Sequence, residues 1–336
     1  MTTLLAGDIG GTKTLLSLYR SGGGGLEQLV SERYVSADWP DLAPMVLAFL
    51  RGPVAGLGLA QPDAACFAVA GPVQAGQAQL TNLPWQLSEQ GLAAATGIAR
   101  LALVNDFAVM IYGLPHLQPE QQVQIRPGVA VTGAPLLVLG AGTGLGVAYG
   151  VPTPSGLQAI ASEGSHAEFA PRTADEWHLK QWLQADLGLD RLSTERVVSG
   201  TGLGLVARWM LAARAEAHDH PLAAVAADPA QDLPAAVAQA ATAGDPLARQ
   251  ALALWLSAYG SVTGDLALAA LCRGGIWLAG GTAAKLVEAL RSSVFVQAYL
   301  NKGRLAEVLE PIPITAITDP AIGLYSAACR ARMLVG

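Results

Sequence analysis

At 336 residues and 34.5 kDa the chain is long for a single core, and at roughly 100 to 200 residues per domain two domains are expected. With 52% of residues hydrophobic and only 14% charged, disorder is excluded as the main state and a compact, alanine-rich α/β protein is expected. The net charge of −6 and the pI near 5.4 argue against a nucleic-acid surface, which needs clustered Lys and Arg to meet phosphates, and favour small-molecule chemistry.

The predicted elements begin with a hairpin. An apolar run at 4–6 enters the segment Asp8-Ile9-Gly10-Gly11-Thr12-Lys13-Thr14 and a second run at 15–19 returns, which places a carboxylate and a glycine pair at the tip. Gly10 and Gly11 permit a φ > 0 turn and close backbone approach to a ligand. N–H groups at such a turn suit a polyphosphate, with Asp8 holding a hydrated Mg²⁺ and Thr12 offering its hydroxyl to the terminal phosphate. An ordinary hairpin turn has the same signature.

A glycine-rich tip at 21–25, an apolar stretch at 33–35, a helix at 42–51 and a strand at 66–70 come next, an alternation that fits an α/β fold. The buried-strand run at 101–104 ends in Asn105-Asp106, and the carboxyl end of a strand in an open α/β sheet is where ligands bind. Asp106 there is either a catalytic carboxylate or the cap of a helix that begins at Phe107. Trp85 is expected in the core.

The segment 136–149 repeats the opening plan of strand, glycine turn (Gly140, Gly142, Thr143, Gly144, Gly146) and strand, which suggests two related half-domains. Its G-x-G-x-G also evokes a dinucleotide fingerprint, but that motif opens a helix, whereas 145–149 reads as a strand, so the hairpin is preferred. Helices are predicted at 175–187, 203–217, 233–241 and 246–271, with a helix entry at 194–199 and an exposed loop at 218–229. A strand at 275–279, a third glycine turn at 280–282, a helix at 283–290 with its N-terminus toward a nucleotide, and a final helix at 320–334 packing back on the first domain complete the chain. Cys66, Cys272 and Cys329 stand far apart in apolar surroundings, so neither a disulfide framework nor a thiolate zinc site is indicated. No basic segment precedes an apolar core at the N-terminus and no run reaches ~18 apolar residues, so a cytoplasmic protein is expected.

In this order the chain resembles, end to end, the bacterial glucokinase family of hexokinase-like sugar kinases, within the actin, Hsp70 and hexokinase ATPase superfamily. The resemblance rests on D-I-G-G-T-K-T at 8–14, T-N-L-P-W at 81–85, V-N-D-F at 104–107, G-A-G-T-G-L-G-V-A at 140–148 and S-E-G-S-H-A-E-F-A-P at 162–171. It continues through E-R-V-V-S-G at 195–200, L-A-G-G at 278–281 and K-G-R at 302–304. Lys13 stands where the family usually has Asn, and Ser165 where a second Gly is common. The zinc-binding cysteines that follow the histidine in the ROK branch are missing after His166, which places the chain in the zinc-free branch.

The resemblance implies a two-domain ribonuclease-H-like α/β fold of the actin/hexokinase type with a ligand cleft between domains, a small domain of 1–107 with 319–336 and a large one of 108–318. It implies ATP-dependent phosphorylation of glucose at the 6-hydroxyl with Mg²⁺, in a cytoplasmic enzyme that forms a homodimer. Asp106 becomes the base. Asn82, Asn105, Asp106, Glu163, His166 and Glu195 become sugar contacts, a donor-acceptor set suited to hexose hydroxyls. Asp8, Gly10, Gly11, Thr12 and Lys13, with Gly142, Thr143 and Gly144, surround the phosphates, and Gly280 and Gly281 flank the adenosine. Read locally, Asn82 is also a turn residue, Glu195 also the end of a capping box with 192–194, His166 also a structural histidine, Glu163-x-x-His166 also a metal pair, and Lys13 also a solvated lysine. Kinases for mannose, glucosamine or N-acetylglucosamine are the alternatives within enzymes. A non-catalytic sugar sensor would need a DNA-binding extension that this sequence does not contain, and a chaperone-like or filament-forming ATPase is weaker still.

Overall fold

The computed structural model describes residues 2–23, 25–59, 61–80, 83–214 and 219–336. They form two compact units, one of Met1–Gln118, Thr153–Ala161 and Asp319–Gly336, the other of Pro119–Pro152 and Ser162–Thr318.

In the first unit, β1 (Thr2–Ile9), β2 (Lys13–Gly22) and β3 (Gly25–Val35) form an antiparallel run. The strand β4 (Ala64–Val69) and, after the short β5 (Val73–Gln74), β6 (Gln77–Gln79) and β7 (Gln86–Ser88), the strand β8 (Leu101–Asn105) extend it in parallel. The sheet order is β3-β2-β1-β4-β8. Both faces of β1 are covered, so it reads as an unbroken apolar run rather than an alternating one. Leu5 and Ile9 join Phe67 and the helix α1 (Leu42–Phe49) on one face. Leu4 and Ala6 join Cys66 and the C-terminal helix (Ile322–Met333) on the other. Trp85 is in the first of these cores, its indole N–H donating to Trp39 O at 3.2 Å. Helix α2 (Glu89–Thr96) is capped by Ser88 and ended by Gly97 at φ 77°.

The first unit runs past the expected division at 107. Helix α3 (Met110–Gly113) packs on the C-terminal helix, where Ser326 Oγ donates to Met110 O at 3.3 Å. Residues 153–161 also belong here, tied by the Ala159 N–H to Tyr112 Oη at 3.3 Å. These contacts join segments far apart in sequence, which local patterns do not encode.

In the second unit β9 (Gln122–Arg126) and β10 (Leu136–Ala141) precede β11 (Leu145–Thr153); β12 (Gly156–Ser162) comes next in the chain, and all but its last residue falls in the segment of the first unit described above. β10 pairs antiparallel with β11 and parallel with β13 (Gly275–Ala279), beyond which lie β14 (Ile314–Ile317) and an antiparallel β9. The hairpin-plus-parallel-strand plan of the first unit is thus repeated, as the two glycine turns predict.

The helices are α4 (Ala174–Leu187), α5 (Gly200–Ala213), α6 (Pro221–Ala227), α7 (Leu233–Ala243) and α8 (Pro246–Ala269). α6 replaces part of the loop expected at 218–229, because Pro221 starts a helix well, His220 caps it and Leu222 is buried. α5 begins at Gly200 rather than 203; Ser199 Oγ accepts from the Gly202 N–H at 2.9 Å and Ser199 O from the Trp255 indole at 2.9 Å. Ser199→Ala should cost about 1 kcal/mol, read as a lower urea midpoint with an unchanged m-value. α8 has the length and apolarity of a membrane span, but Trp255 and Tyr259 on it are fully buried in the core of this unit. The expected turn at 280–282 is already the first turn of α9 (Gly280–Lys285), and the helix expected at 283–290 breaks at Leu286 before α10 (Val287–Leu290). α11 (Ser293–Leu300) packs along α8.

Candidate active site

In the first unit, the β1–β2 ladder closes at Ile9 and Thr14, and the Gly10 N–H donates to Lys13 O at 3.0 Å across the tip. Gly10 does not adopt a left-handed φ, contrary to expectation. The turn excludes a side chain by proximity instead: a Cβ on Gly10 would lie 2.9 Å from Lys13 O. Thr12 and Lys13 are exposed at the tip.

Asp8 is the penultimate residue of β1, one before the tip. Its residue is open to solvent, yet the surrounding protein desolvates the carboxyl and raises its pKa. Asp106 follows β8, with its N–H donating to Val69 O at 2.9 Å, and is half-buried. Its pKa is pushed up to about 6, chiefly by burial and then by the negative charge of Asp8. Hydrogen bonds from Asn105 and the local backbone oppose that rise.

Capping falls to Asn105, not Asp106. Asn105 Oδ1 accepts from the Phe107 and Ala108 N–H groups at 3.1 and 3.0 Å. Its Nδ2 donates to Gly71 O at 3.1 Å and to Asp106 Oδ1 at 3.0 Å. The amide therefore satisfies the turn and orients the neighbouring carboxylate, which leaves Asp106 available for chemistry. Asn82 lies outside the described residues.

In the second unit the turn 142–144 is braced from two sides. The Gly200 N–H donates to Gly142 O at 2.7 Å, Thr201 Oγ1 to Thr143 O at 2.9 Å, and Thr282 Oγ1 to Ala141 O. Glu195 Oε2 accepts from the Leu145 N–H at 2.9 Å, and a Cβ on Gly144 would collide with that same oxygen. Ser193 makes no capping hydrogen bond, so the capping-box reading of Glu195 gives way to this long-range contact.

Glu163 and His166 bracket a single 3₁₀ turn, with the His166 N–H donating to Glu163 O at 2.9 Å and Nε2 standing 3.6 Å from Glu163 Oε2; both side chains are exposed. Backbone bonds from Phe169 to Leu192 O and from Thr194 to Ala167 O, each 2.8 Å, pin this segment beside the turn that bears Glu195. Among the described residues no three His, Cys, Asp or Glu side chains cluster as a metal site, so the metal reading of Glu163 and His166 finds no support.

A pocket of about 340 Å³ opens beside the 142–144 turn. Gly142, Thr143, Gly281 and Thr282 form its polar end, while Pro234, Ala235, Ala238 and Leu286 form an apolar wall. Gly280 lies beneath, at φ 87°, with its absent Cβ directed at Ala141 O, 3.2 Å away. Thr201 and the α7 residues were not legible as site residues, because only packing of α5, α7 and α9 brings them to one pocket.

The sequence matches the family model described as Glucokinase over residues 5–334. It is 40% identical to a glucokinase of Trichormus variabilis, spanning 99% of this chain and all of that one, and 39% identical to a glucokinase of Synechocystis sp. over 98% of both. Among solved structures, a glucokinase from an Antarctic psychrotroph aligns over 99% of both chains with a TM-score of 0.84 at 29% identity. The fold is also that of a ROK family glucokinase from Streptomyces griseus, described in complex with glucose and AMPPNP, at a TM-score of 0.63 and 19% identity over 98% of this chain and 99% of that one.

Proposed function

The chain belongs to the glucokinase family, and we propose that it transfers the γ-phosphoryl group of ATP to the 6-hydroxyl of glucose, giving glucose 6-phosphate and ADP. The observation that carries this reading is Asp106, a half-buried carboxylate with a pKa near 6, aimed by an asparagine that has taken over the capping role. A base poised just below neutral pH is mostly ionised at pH 7 yet still basic enough to take a proton. As the sugar O6 bonds to the γ-phosphorus and the β–γ bridging bond breaks, the O6 proton passes to Asp106 and the electron pair leaves with ADP.

The sugar is held, in this reading, by Asn82, Glu163, His166 and Glu195. Asn105 contributes mainly by orienting Asp106, since both ends of its amide are engaged. Gly10, Gly11, Thr12 and Lys13 would meet the phosphates, as would Gly142, Thr143 and Gly144, and the apolar wall beyond Gly281 suits the adenosine, with Gly280 supporting it from below. Asp8 is a desolvated carboxylate, and among the described residues no cluster of three or more metal-binding side chains includes it, which fits a Mg²⁺ that arrives on the triphosphate and keeps its water. That ion would supply neutralisation of the phosphate charge.

The test is a coupled assay for glucose 6-phosphate from glucose, ATP and Mg²⁺, run beside mannose, glucosamine and N-acetylglucosamine. Turnover strongest with glucose supports the assignment; a folded protein that binds ATP but does not turn over glucose overturns it. Asp8→Asn should lower kcat and, in the residual activity, move the acid limb of the pH–rate profile to lower pH. Removing the neighbouring negative charge makes Asp106 easier to ionise, so an unmoved or raised limb would refute the coupling.

A further inference from the structure

A serine outside every sequence motif grips the tip of the first hairpin. Ser36 follows β3 directly and is fully buried. Its Oγ donates to Gly10 O at 2.8 Å, and its backbone N–H donates to Thr12 O at 3.1 Å. With its single hydroxyl proton directed at Gly10, Ser36 Oγ is left to accept from Thr14 Oγ1, 3.0 Å away and equally buried. Two of the tip's carbonyls, Gly10 and Thr12, are thereby drawn to one side.

The carbonyl and the following N–H of a trans peptide point in opposite directions, and the described chain contains no cis peptide. Anchoring Gly10 O on Ser36 therefore turns the Gly11 N–H away from Ser36, toward the outer side of the tip. A lone glycine-rich turn would sample many orientations; this one has two of its carbonyls held from behind by the hydroxyl and the backbone N–H of Ser36, with the buried Thr14 hydroxyl behind Ser36 Oγ. We infer that Ser36 is a positioning residue for phosphate recognition: through Gly10 it presets the tip so that the Gly11 N–H meets a nucleotide phosphate without first reorganising. This inference rests on the reading of the tip as the phosphate loop.

Ser36→Ala removes the hydroxyl and leaves the backbone bond to Thr12 in place. The expected result is a rise of about tenfold in KM for ATP and in the Kd of a fluorescent ADP analogue with Mg²⁺, the loss of one well-made hydrogen bond, with KM for glucose within twofold of the parent. Thr14→Val, which removes only the supporting donor, should move the same quantities in the same direction by less, and stands in if Ser36→Ala does not fold. Unchanged nucleotide affinity in both variants, or equal losses for nucleotide and glucose alongside a lower melting temperature, would overturn the positioning role. Lack of kinase activity in the parent protein would instead refute the proposed function, whatever the variants do.

Discussion

Asp106→Asn lowers kcat for glucose phosphorylation by roughly 10²- to 10⁴-fold while glucose binding, measured by titration, stays within a few-fold of the parent. The substitution is nearly isosteric, and the new side-chain oxygen can still accept from the Asn105 amide that now meets Asp106 Oδ1 at 3.0 Å. What is lost is the capacity to take a proton. The parent should also show kcat/KM falling about tenfold per pH unit below about 6 and levelling above it, because the ionised form is the active one and the free carboxyl titrates there. A variant within threefold of the parent would show that Asp106 is not the base.

Gly260→Ala destabilises the second unit by about 2 kcal/mol, although the same exchange on a solvent-facing helix would stabilise by up to about 1 kcal/mol. On α8, a Cβ at position 260 would be driven into the carbonyl of Phe295 on α11 and would lie 3.2 Å from the Ala298 Cβ. One turn on, a Cβ at Gly264 would lie 2.5 Å from Tyr299 O and 2.7 Å from the Lys302 side chain. The obstacle is backbone, which cannot rotate aside as a side chain can, so overpacking outweighs the gain in helix propensity. Beside this contact Tyr259 packs edge-on to Phe295, ring centres 5.6 Å apart. A urea midpoint at or above that of the parent would show that the helices separate without cost.

Strands such as β1 and β10 were legible because burial on both faces demands a continuous apolar run, and the two glycine hairpins because a strand, a turn and a returning strand are adjacent in the chain. Membership of the glucokinase family was legible for a related reason: short motifs in a fixed order survive as text. The acidic pair was half legible. The end of a buried strand marks Asp106 as a candidate ligand-facing carboxylate, but its rival role as a cap is excluded only by the tertiary structure, in which Asn105 holds the Phe107 and Ala108 N–H groups.

Other readings failed where a distant residue intervened. Glu195 looked like the end of a local capping box and instead binds the Leu145 N–H, fifty residues away. Gly10 looked like a conformational necessity and proved to be a spatial one. Ser36 carried no signal at all, since a serine after a strand is ordinary until its hydroxyl is seen beneath the hairpin tip. The linear pattern thus settled the elements, the motif order and the chemical types available, because propensity and periodicity act over a few residues. Which cap is used, which oxygen braces which turn, where the first unit ends and how far a carboxyl pKa rises were settled by folding alone, because each depends on groups that meet only when remote segments pack and water is excluded.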